Sequence, residues 1–499
     1  MNLMMLLEMA ASGFGDRVAV TNGAVSLTYQ QLFDAAGSAA RVIRASGAER
    51  MAVLDVSSLA VPVGLFASSW AGRPFVPLNY RLTADEVEKL LERIAPSYVV
   101  TESGRVASLA HVASTSVVTR EAFLDAATSG TAGEPDWSAD ADDIAILLFT
   151  SGTTGAPKAA VLRQKHLVSY IFGSVEFGAA GEDEATLVSV PPYHIAGMAA
   201  IASSVYSGRR IVQLPTFSAE SWLETARREK VTHAFVVPTM LARIVDLLGD
   251  AASAELPSLE ALAYGGGKMP QSVIEKALRL FPGADFTNAY GLTETSSTIA
   301  ILGPEDHRAA IASDDPAVRR RLISVGRPLP SVEVQIRDEN GAVLGPNQRG
   351  EVYVSGEQVS GEYLGRGSSV GSDGFFPTRD GGSMDDAGYL FLEGRIDDII
   401  VRGGENMSPG EIEDVLLEHE AIADCAVVGV PSEQWGEAVA AVVVTKPGQK
   451  ASIEDLQAWV KKHLRSSRTP ERIEFWESLP YNETGKLLRR QVRAQLAGG

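Results

Sequence analysis

Through the first three-fifths of the chain, short apolar runs of β character alternate with segments of helical period. That alternation restricts the fold to parallel sheets with helices packed on their faces. The runs are 51–56, 75–78, 98–101, 144–150, 185–190, 210–214 and 233–237, and helices are predicted over 84–94, 219–229 and 271–280. Ligands of such sheets sit at the carboxyl ends of strands. After about residue 320 the texture changes. Val332, Val334 and Ile336 alternate with polar neighbours, Asp338-Glu339-Asn340-Gly341 signals a turn, and 350–356 reads as another strand, predicting a small antiparallel β unit. A last unit begins near Gly394 with the order helix (409–420), strands (423–430 and 438–445), helix (453–465) and strand (472–476), a compact α+β domain. A chain of 499 residues exceeds what one hydrophobic core serves, which agrees with two to four structural units.

Several function classes are disfavoured at this level. The net charge of -19 opposes non-specific attraction to nucleic acid or acidic lipid, although anions can still bind locally. Basic residues do outnumber acidic ones from Lys461 to Arg493, as either a solvated helix face or a phosphate-facing surface. Cys425 is the only cysteine, so no intrachain disulfide, four-cysteine zinc site or two-cysteine redox motif can form; in its apolar run it reads as a buried structural thiol, and a cytoplasmic location is expected. Residues 1–11 lack the basic flank and cleavage site of a signal peptide and read as a first amphipathic helix. The longest apolar stretch, 59–70, is interrupted by Pro62, Gly64, Ser68 and Ser69, so no membrane span is expected.

The chemistry concentrates first in Thr150-Ser151-Gly152-Thr153-Thr154-Gly155-Ala156-Pro157-Lys158, directly after a buried-strand pattern. Glycines let backbone N–H groups approach an anion, while the hydroxyls and the ammonium add donors, so the segment reads as a phosphate-cradling loop. A Walker-type loop is ruled out at two positions: Pro157 stands where its second glycine belongs, and Ala159 where its magnesium-binding hydroxyl belongs.

This run resembles the signature of the adenylate-forming superfamily, which contains acyl- and aryl-CoA synthetases, peptide-synthetase adenylation domains and beetle luciferases. Further matches follow in the expected order: Tyr290-Gly291-Leu292-Thr293-Glu294, 350–356, Thr378-Arg379-Asp380, Gly394-Arg395-Ile396-Asp397-Asp398, Gly403-Gly404-Glu405-Asn406 and Thr484-Gly485-Lys486. The resemblance implies an α/β fold: a large N-terminal domain, residues 1–394, of two helix-flanked sheets plus the β unit at about 320–394, and a small mobile α+β C-terminal domain, residues 395–499.

The resemblance also implies roles. Ser151, Thr153, Thr154 and Lys158 would grip the phosphates of ATP, Tyr290 would stack on adenine beside Gly265 and Gly266, Thr293 would meet the α-phosphate, and Glu294 would hold Mg²⁺. Asp380 would bind the ribose hydroxyls, with Arg395 near the ribose and phosphates. Where this chain has Arg379 the family usually has glycine, so the backbone there is an open question. Lys486 would stabilise charge building on the α-phosphate as a carboxylate attacks it. Asp397 matches the hinge about which the C-terminal domain rotates between half-reactions, bringing Gly403 and Gly404 to the path of the coenzyme A thiol. Trp435 reads equally as a contact for that chain and as a core residue. His194, taken alone, is a hydrogen-bonded structural histidine; by the match it lines the acyl pocket.

The sequence is thus expected to encode an acid–CoA ligase that uses ATP, Mg²⁺ and CoA, forming acyl-AMP and pyrophosphate, then acyl-CoA and AMP. An aromatic, alicyclic or medium-chain acid is the expected substrate. Rival readings are a stand-alone enzyme loading a carrier protein, a luciferase-like oxygenase and a non-catalytic nucleotide-binding module.

Overall fold

The computed structural model describes residues 1–150, 157–403, 405–432, 434–482 and 487–497. The chain divides into two compact units, Met1–Glu333 with Val354–Phe376, and Val334–Tyr353 with Pro377–Gly499. The boundary expected at 394/395 falls inside the second of these.

The first unit holds two large sheets. One has nine strands, in the order Arg327–Pro328, Ser297–Leu302, Asp285–Leu292, Ala261–Gly265, His233–Val236, Ala185–Val188, Arg210–Gln213, Val18–Asn22 and Val25–Thr28. Its middle is parallel, and antiparallel strands close both edges. The other has eight, in the order Gly367–Ser368, Glu362–Tyr363, Lys158–Arg163, Ile144–Thr150, Phe75–Pro77, Arg50–Leu54, Ser97–Thr101 and Thr115–Thr119. Both sheets contribute to one core: Val20, Val188 and Ile211 from the first and Met51, Val53, Phe75 and Ile146 from the second share it with the helices Leu3–Phe14, Tyr29–Ala45, Ala60–Ala71 and Ile195–Ser207.

Local sequence explains the helices. Ala84–Ile94 starts at a capping box between Thr83 and Glu86 and buries Val87, Leu90, Leu91 and Ile94, one face at helical spacing. The broken apolar stretch read from 59 to 70 is the helix Ala60–Ala71, every residue of which is buried. Pro62 lies in its first turn, where its missing N–H leaves no bond unmade, so the proline does not interrupt it. Each large side chain buried in this way contributes roughly 1.5–3 kcal/mol before conformational entropy is subtracted. No described helix is long and apolar enough to cross a membrane.

The small β unit, most of whose residues belong to the second unit, is a four-stranded sheet in the order Glu333–Arg337, Gly350–Ser355, Phe376–Met384 and Leu390–Arg395. A five-stranded sheet follows, centred on the hairpin of Ile422–Ser432 with Gly436–Thr445, which Arg472–Phe475 joins in parallel. Alternate residues of these strands bury on opposite faces. Cys425, Val427, Val439, Ala441 and Val443 pack with Ile412, Leu416, Leu456 and Val460, while Ala426, Val428, Ala440 and Val442 pack with Leu479, Val492 and Leu496. Burial on both faces accounts for the unbroken apolar run Ala438–Val443, and Cys425 is the buried thiol expected.

Candidate active site

At the carboxyl edge of the nine-stranded sheet, neighbouring strands carry Gly265, Gly266, Tyr290, Thr293 and Glu294 of the expected nucleotide residues. Gly265 ends the strand Ala261–Gly265 and is in register with Ala289 on Asp285–Leu292. A Cβ on Gly265 would lie 2.1 Å from the Ala289 carbonyl oxygen, and Gly266 has φ +82°, so both positions require glycine. Tyr290 follows Ala289 and is buried. Strand Asp285–Leu292 then bulges between Tyr290 and Gly291 and enters the 3-10 turn Thr293–Thr295, which carries Thr293 and Glu294. The turn is strained on leaving: Ser296 and Ser297 have φ of +55° and +112°. Thr295 holds it, its hydroxyl accepting from Leu292 N at 2.9 Å and lying 2.8 Å from the Ser297 carbonyl.

Lys158 opens the strand Lys158–Arg163 of the eight-stranded sheet, paired with Thr150 across the loop. Ser151, Thr153 and Thr154 lie outside the described residues, as do Gly404 and Lys486. Lys158 Nζ sits 5.4 Å from the centre of the Tyr363 ring, and the Tyr363 hydroxyl donates to Glu294 Oε1 at 2.5 Å. The structure therefore brings Lys158 and Glu294 to one tyrosine from different sheets. Sequence reasoning missed Tyr363, because a two-residue strand in a glycine-rich stretch has no periodicity to read.

His194 precedes the helix Ile195–Ser207, with its ring 4.5 Å from that of Tyr193. Burial, and secondarily the charge of Arg81, lowers its pKa to about 4, so the ring is neutral at physiological pH. Its Nε2 is buried with no partner among the described residues, a group that a ligand oxygen could satisfy.

In the second unit, Asp380 and Arg395 face each other across the pair Phe376–Met384 and Leu390–Arg395, with Arg395 Nε 3.0 Å from Asp380 Oδ1. Arg395 also donates to the Thr378 carbonyl at 2.8 Å. Arg379 has φ +63°, the left-handed conformation glycine enters most freely, so the glycine-type turn survives the arginine. Its Nη2 donates to Asp397 Oδ1 at 2.6 Å, and its backbone N–H donates to Glu351 at 3.1 Å. Gly403 (φ +58°) donates to the Trp435 carbonyl at 2.8 Å, and a Cβ there would come 3.1 Å from the indole. Trp435 itself is 39% exposed with Arg402 stacked 4.7 Å from its ring centre, which excludes the core reading.

These residues suit ATP and Mg²⁺. No group of three potential metal ligands exists among the described residues, but Mg²⁺ is commonly held by one or two carboxylates together with substrate phosphates, and Glu294 is such a carboxylate.

A two-sheet α/β unit with the expected nucleotide residues at its strand ends, followed by a smaller α+β unit, is the arrangement of the adenylate-forming class. Residues 7–364 match the AMP-binding enzyme family and residues 411–486 the AMP-binding enzyme C-terminal domain, so the chain belongs to the AMP-binding enzyme family. It is similar to a feruloyl-CoA synthase of Amycolatopsis sp (31% identity over 483 residues, 95% of each chain). It also resembles the fatty acid–[acyl-carrier-protein] ligase ScoC of Streptomyces coeruleorubidus (32% over 488 residues, 95% of this chain and 92% of that protein). Among solved structures it is similar to o-succinylbenzoate CoA synthetase from Bacillus subtilis. With the acyl-adenylate intermediate OSB-AMP bound, that enzyme gives a TM-score of 0.85 at 28% identity, over 98% of this chain and 97% of that one. With ATP and magnesium ion the TM-score is 0.82 at 28% identity, over 97% and 98%.

Proposed function

We propose that this protein activates a carboxylic acid and transfers its acyl group to coenzyme A. By family and kinship it is an AMP-forming acid–thiol ligase using ATP, Mg²⁺ and CoA. In the first half-reaction a carboxylate oxygen attacks the α-phosphorus of ATP and pyrophosphate leaves, giving acyl-AMP. In the second the CoA thiol, losing its proton, attacks the acyl carbon and AMP leaves.

The observation that carries this reading is the meeting of Glu294 and Lys158 at Tyr363, beside the strand that delivers Tyr290 and Thr293. Bound Mg²⁺ would neutralise phosphate charge, and Glu294 would hold it. Lys158, Ser151, Thr153 and Thr154 grip phosphate oxygens, Tyr290 stacks on adenine beside Gly265 and Gly266, and Thr293 meets the α-phosphate. Asp380, supported by Arg395, binds the ribose. Lys486 stabilises the charge that develops at the α-phosphate. His194, neutral and without a partner at Nε2 among the described residues, lines the acyl pocket, and the acid is aromatic, alicyclic or medium-chain. Residues 395–499 act as the mobile domain, turning about Asp397 so that Gly403 and Gly404 line the thiol path.

Likeness to ScoC favours a second reading, transfer to a carrier-protein thiol. One experiment tests both: AMP release is measured over a panel of acids with no thiol, with CoA, and with a phosphopantetheinylated carrier protein. Thiol-dependent AMP release with CoA supports the first reading. Release with the carrier protein alone replaces it by the second, and no acid-dependent release overturns both.

A further inference from the structure

Residues 358–364 run as a strap between the two sheets of the first unit. At one end Gln358 Nε2 donates to the carbonyls of Thr295 at 3.0 Å and Thr298 at 2.8 Å. The backbone N–H groups of Ser360 and Gly361 then both donate to the Glu294 carbonyl, at 2.8 and 3.2 Å. At the other end Glu362 and Tyr363 pair antiparallel with Val161 and Ala160, and Leu364 N donates to the Ala159 carbonyl at 2.9 Å. Arg163 fixes this register with two bonds of 2.8 Å to the Glu362 carboxylate.

The strap thus joins the backbone of Glu294 to the strand that Lys158 opens. One of its side chains, that of Tyr363, touches the functional groups of both. The Tyr363 hydroxyl bonds Glu294 Oε1 at 2.5 Å, while its ring lies 5.4 Å from Lys158 Nζ. A phenol donating to a carboxylate makes a short, charge-assisted bond that restricts the carboxylate's torsions. It engages one carboxylate oxygen from one side. A ring face attracts an ammonium through its quadrupole and so limits where Lys158 can swing.

We propose that Tyr363 is a positioning residue for Mg²⁺–ATP: its hydroxyl orients the Glu294 carboxylate towards the cation, and its ring holds the Lys158 ammonium at the phosphates. This rests on the roles given above to Glu294 and Lys158. The two halves of the side chain have separable effects. The hydroxyl acts on the metal-dependent part of nucleotide binding, and the ring acts on the metal-independent part.

The test is calorimetric titration of the full-length protein with a non-hydrolysable ATP analogue, with and without Mg²⁺. Tyr363→Phe, which keeps the ring, is expected to bind the analogue without metal as the parent does. The affinity gained on adding Mg²⁺ should fall about tenfold, the usual cost of losing a partner that orients a metal ligand. Tyr363→Leu should also weaken metal-free binding, by about two- to fivefold. In a Glu294→Gln background Tyr363→Phe should add nothing further, because the hydroxyl acts through that carboxylate. An unchanged Mg²⁺ gain in Tyr363→Phe, or an equal loss with and without metal, overturns the proposal while Glu294→Gln still shows its own defect. If Glu294→Gln itself keeps the full Mg²⁺ gain, the metal role of Glu294 falls and the proposal falls with it.

Discussion

The guanidinium of Arg379 holds the carboxylate of Asp397 at 2.6 Å, so a side chain on the turn proposed to bind the ribose grips the residue proposed as the hinge. Both partners are about half exposed, and such pairs contribute about 0.2–1 kcal/mol. A large change of backbone angle at Asp397 works against this bond. Arg379→Gly keeps a left-handed turn at no steric cost and removes the grip. It is expected to change the CoA-dependent half-reaction by about two- to fivefold and to make that step less sensitive to salt, with adenylation nearly unaltered. Timing both half-reactions from 50 to 500 mM salt, a range of about a threefold change in Debye length, checks this. An identical salt response in parent and variant would count against it.

Lys486→Ala should cut acyl-adenylate formation by roughly 10²- to 10³-fold, the cost of removing one oxyanion-stabilising donor. Conversion of chemically supplied acyl-AMP and CoA to acyl-CoA should continue at nearly the parent rate. Pyrophosphate release reports the first step and loss of CoA thiol the second. Equal damage to both would mean that this lysine is structural or that the two steps do not use different arrangements of the C-terminal residues.

Burial lowers the imidazole pKa values of His166, His194 and His233 from 6.5 to about 4. The native protein keeps these rings neutral at pH 5 to 6, whereas the unfolded chain protonates them below about 6.5. Their contribution to stability is complete above pH 6.5 and is lost as pH falls from 6.5 towards 4. The thermal midpoint should therefore be level between pH 7 and 8 and drop below pH 6.5, with up to three protons taken up on unfolding from these rings. Scanning calorimetry against pH measures both quantities; no decline between pH 6.5 and 5 would contradict the assignment.

In the second unit the half-buried Arg489 pairs with the buried Glu413, with Nη2 2.6 Å from Oε2, and donates to the Val427 carbonyl at 2.8 Å. Glu413 in turn accepts from Val427 N at 2.7 Å. Removing one partner leaves the other as an uncompensated buried charge, so Arg489→Ala should destabilise this unit by about 3–5 kcal/mol. Glu413→Gln with Arg489→Met together should cost less than the sum of the two single changes. Denaturant melts followed by the fluorescence of Trp459 and Trp476 would show it; additive losses would not fit.

The elements legible in the sequence were those whose residues face one core. Ile144–Thr150, Ala84–Ile94 and Gln271–Leu280 appear where periodicity puts them, because their patterns answer to a single buried face or to two. Helix Ala60–Ala71 was hidden because burial all round erases the polar stripe by which helices are recognised. The residues proposed for the nucleotide stand out in the sequence as motifs rich in glycine and hydroxyls, and at Gly265 the close approach of the Ala289 carbonyl accounts for the glycine. Their support was not. The bond from Tyr363 to Glu294 joins residues 69 apart in sequence, and nothing local to either one encodes it.

The strap also bears on the order in which the molecule can be assembled as it leaves the ribosome. Strand Lys158–Arg163 has one neighbour close in sequence, Ile144–Thr150, and another, Glu362–Tyr363, whose contact with Arg163 spans 199 residues. At roughly 5–20 residues per second, synthesis leaves that flank uncovered for about ten to forty seconds. During that time Ala159 to Leu162 form an apolar edge with unpaired amides, a template for pairing with other nascent chains. Fragments ending before Gly361 keep the edge bare permanently and should aggregate, whereas those extending past Ser368 carry their own cover.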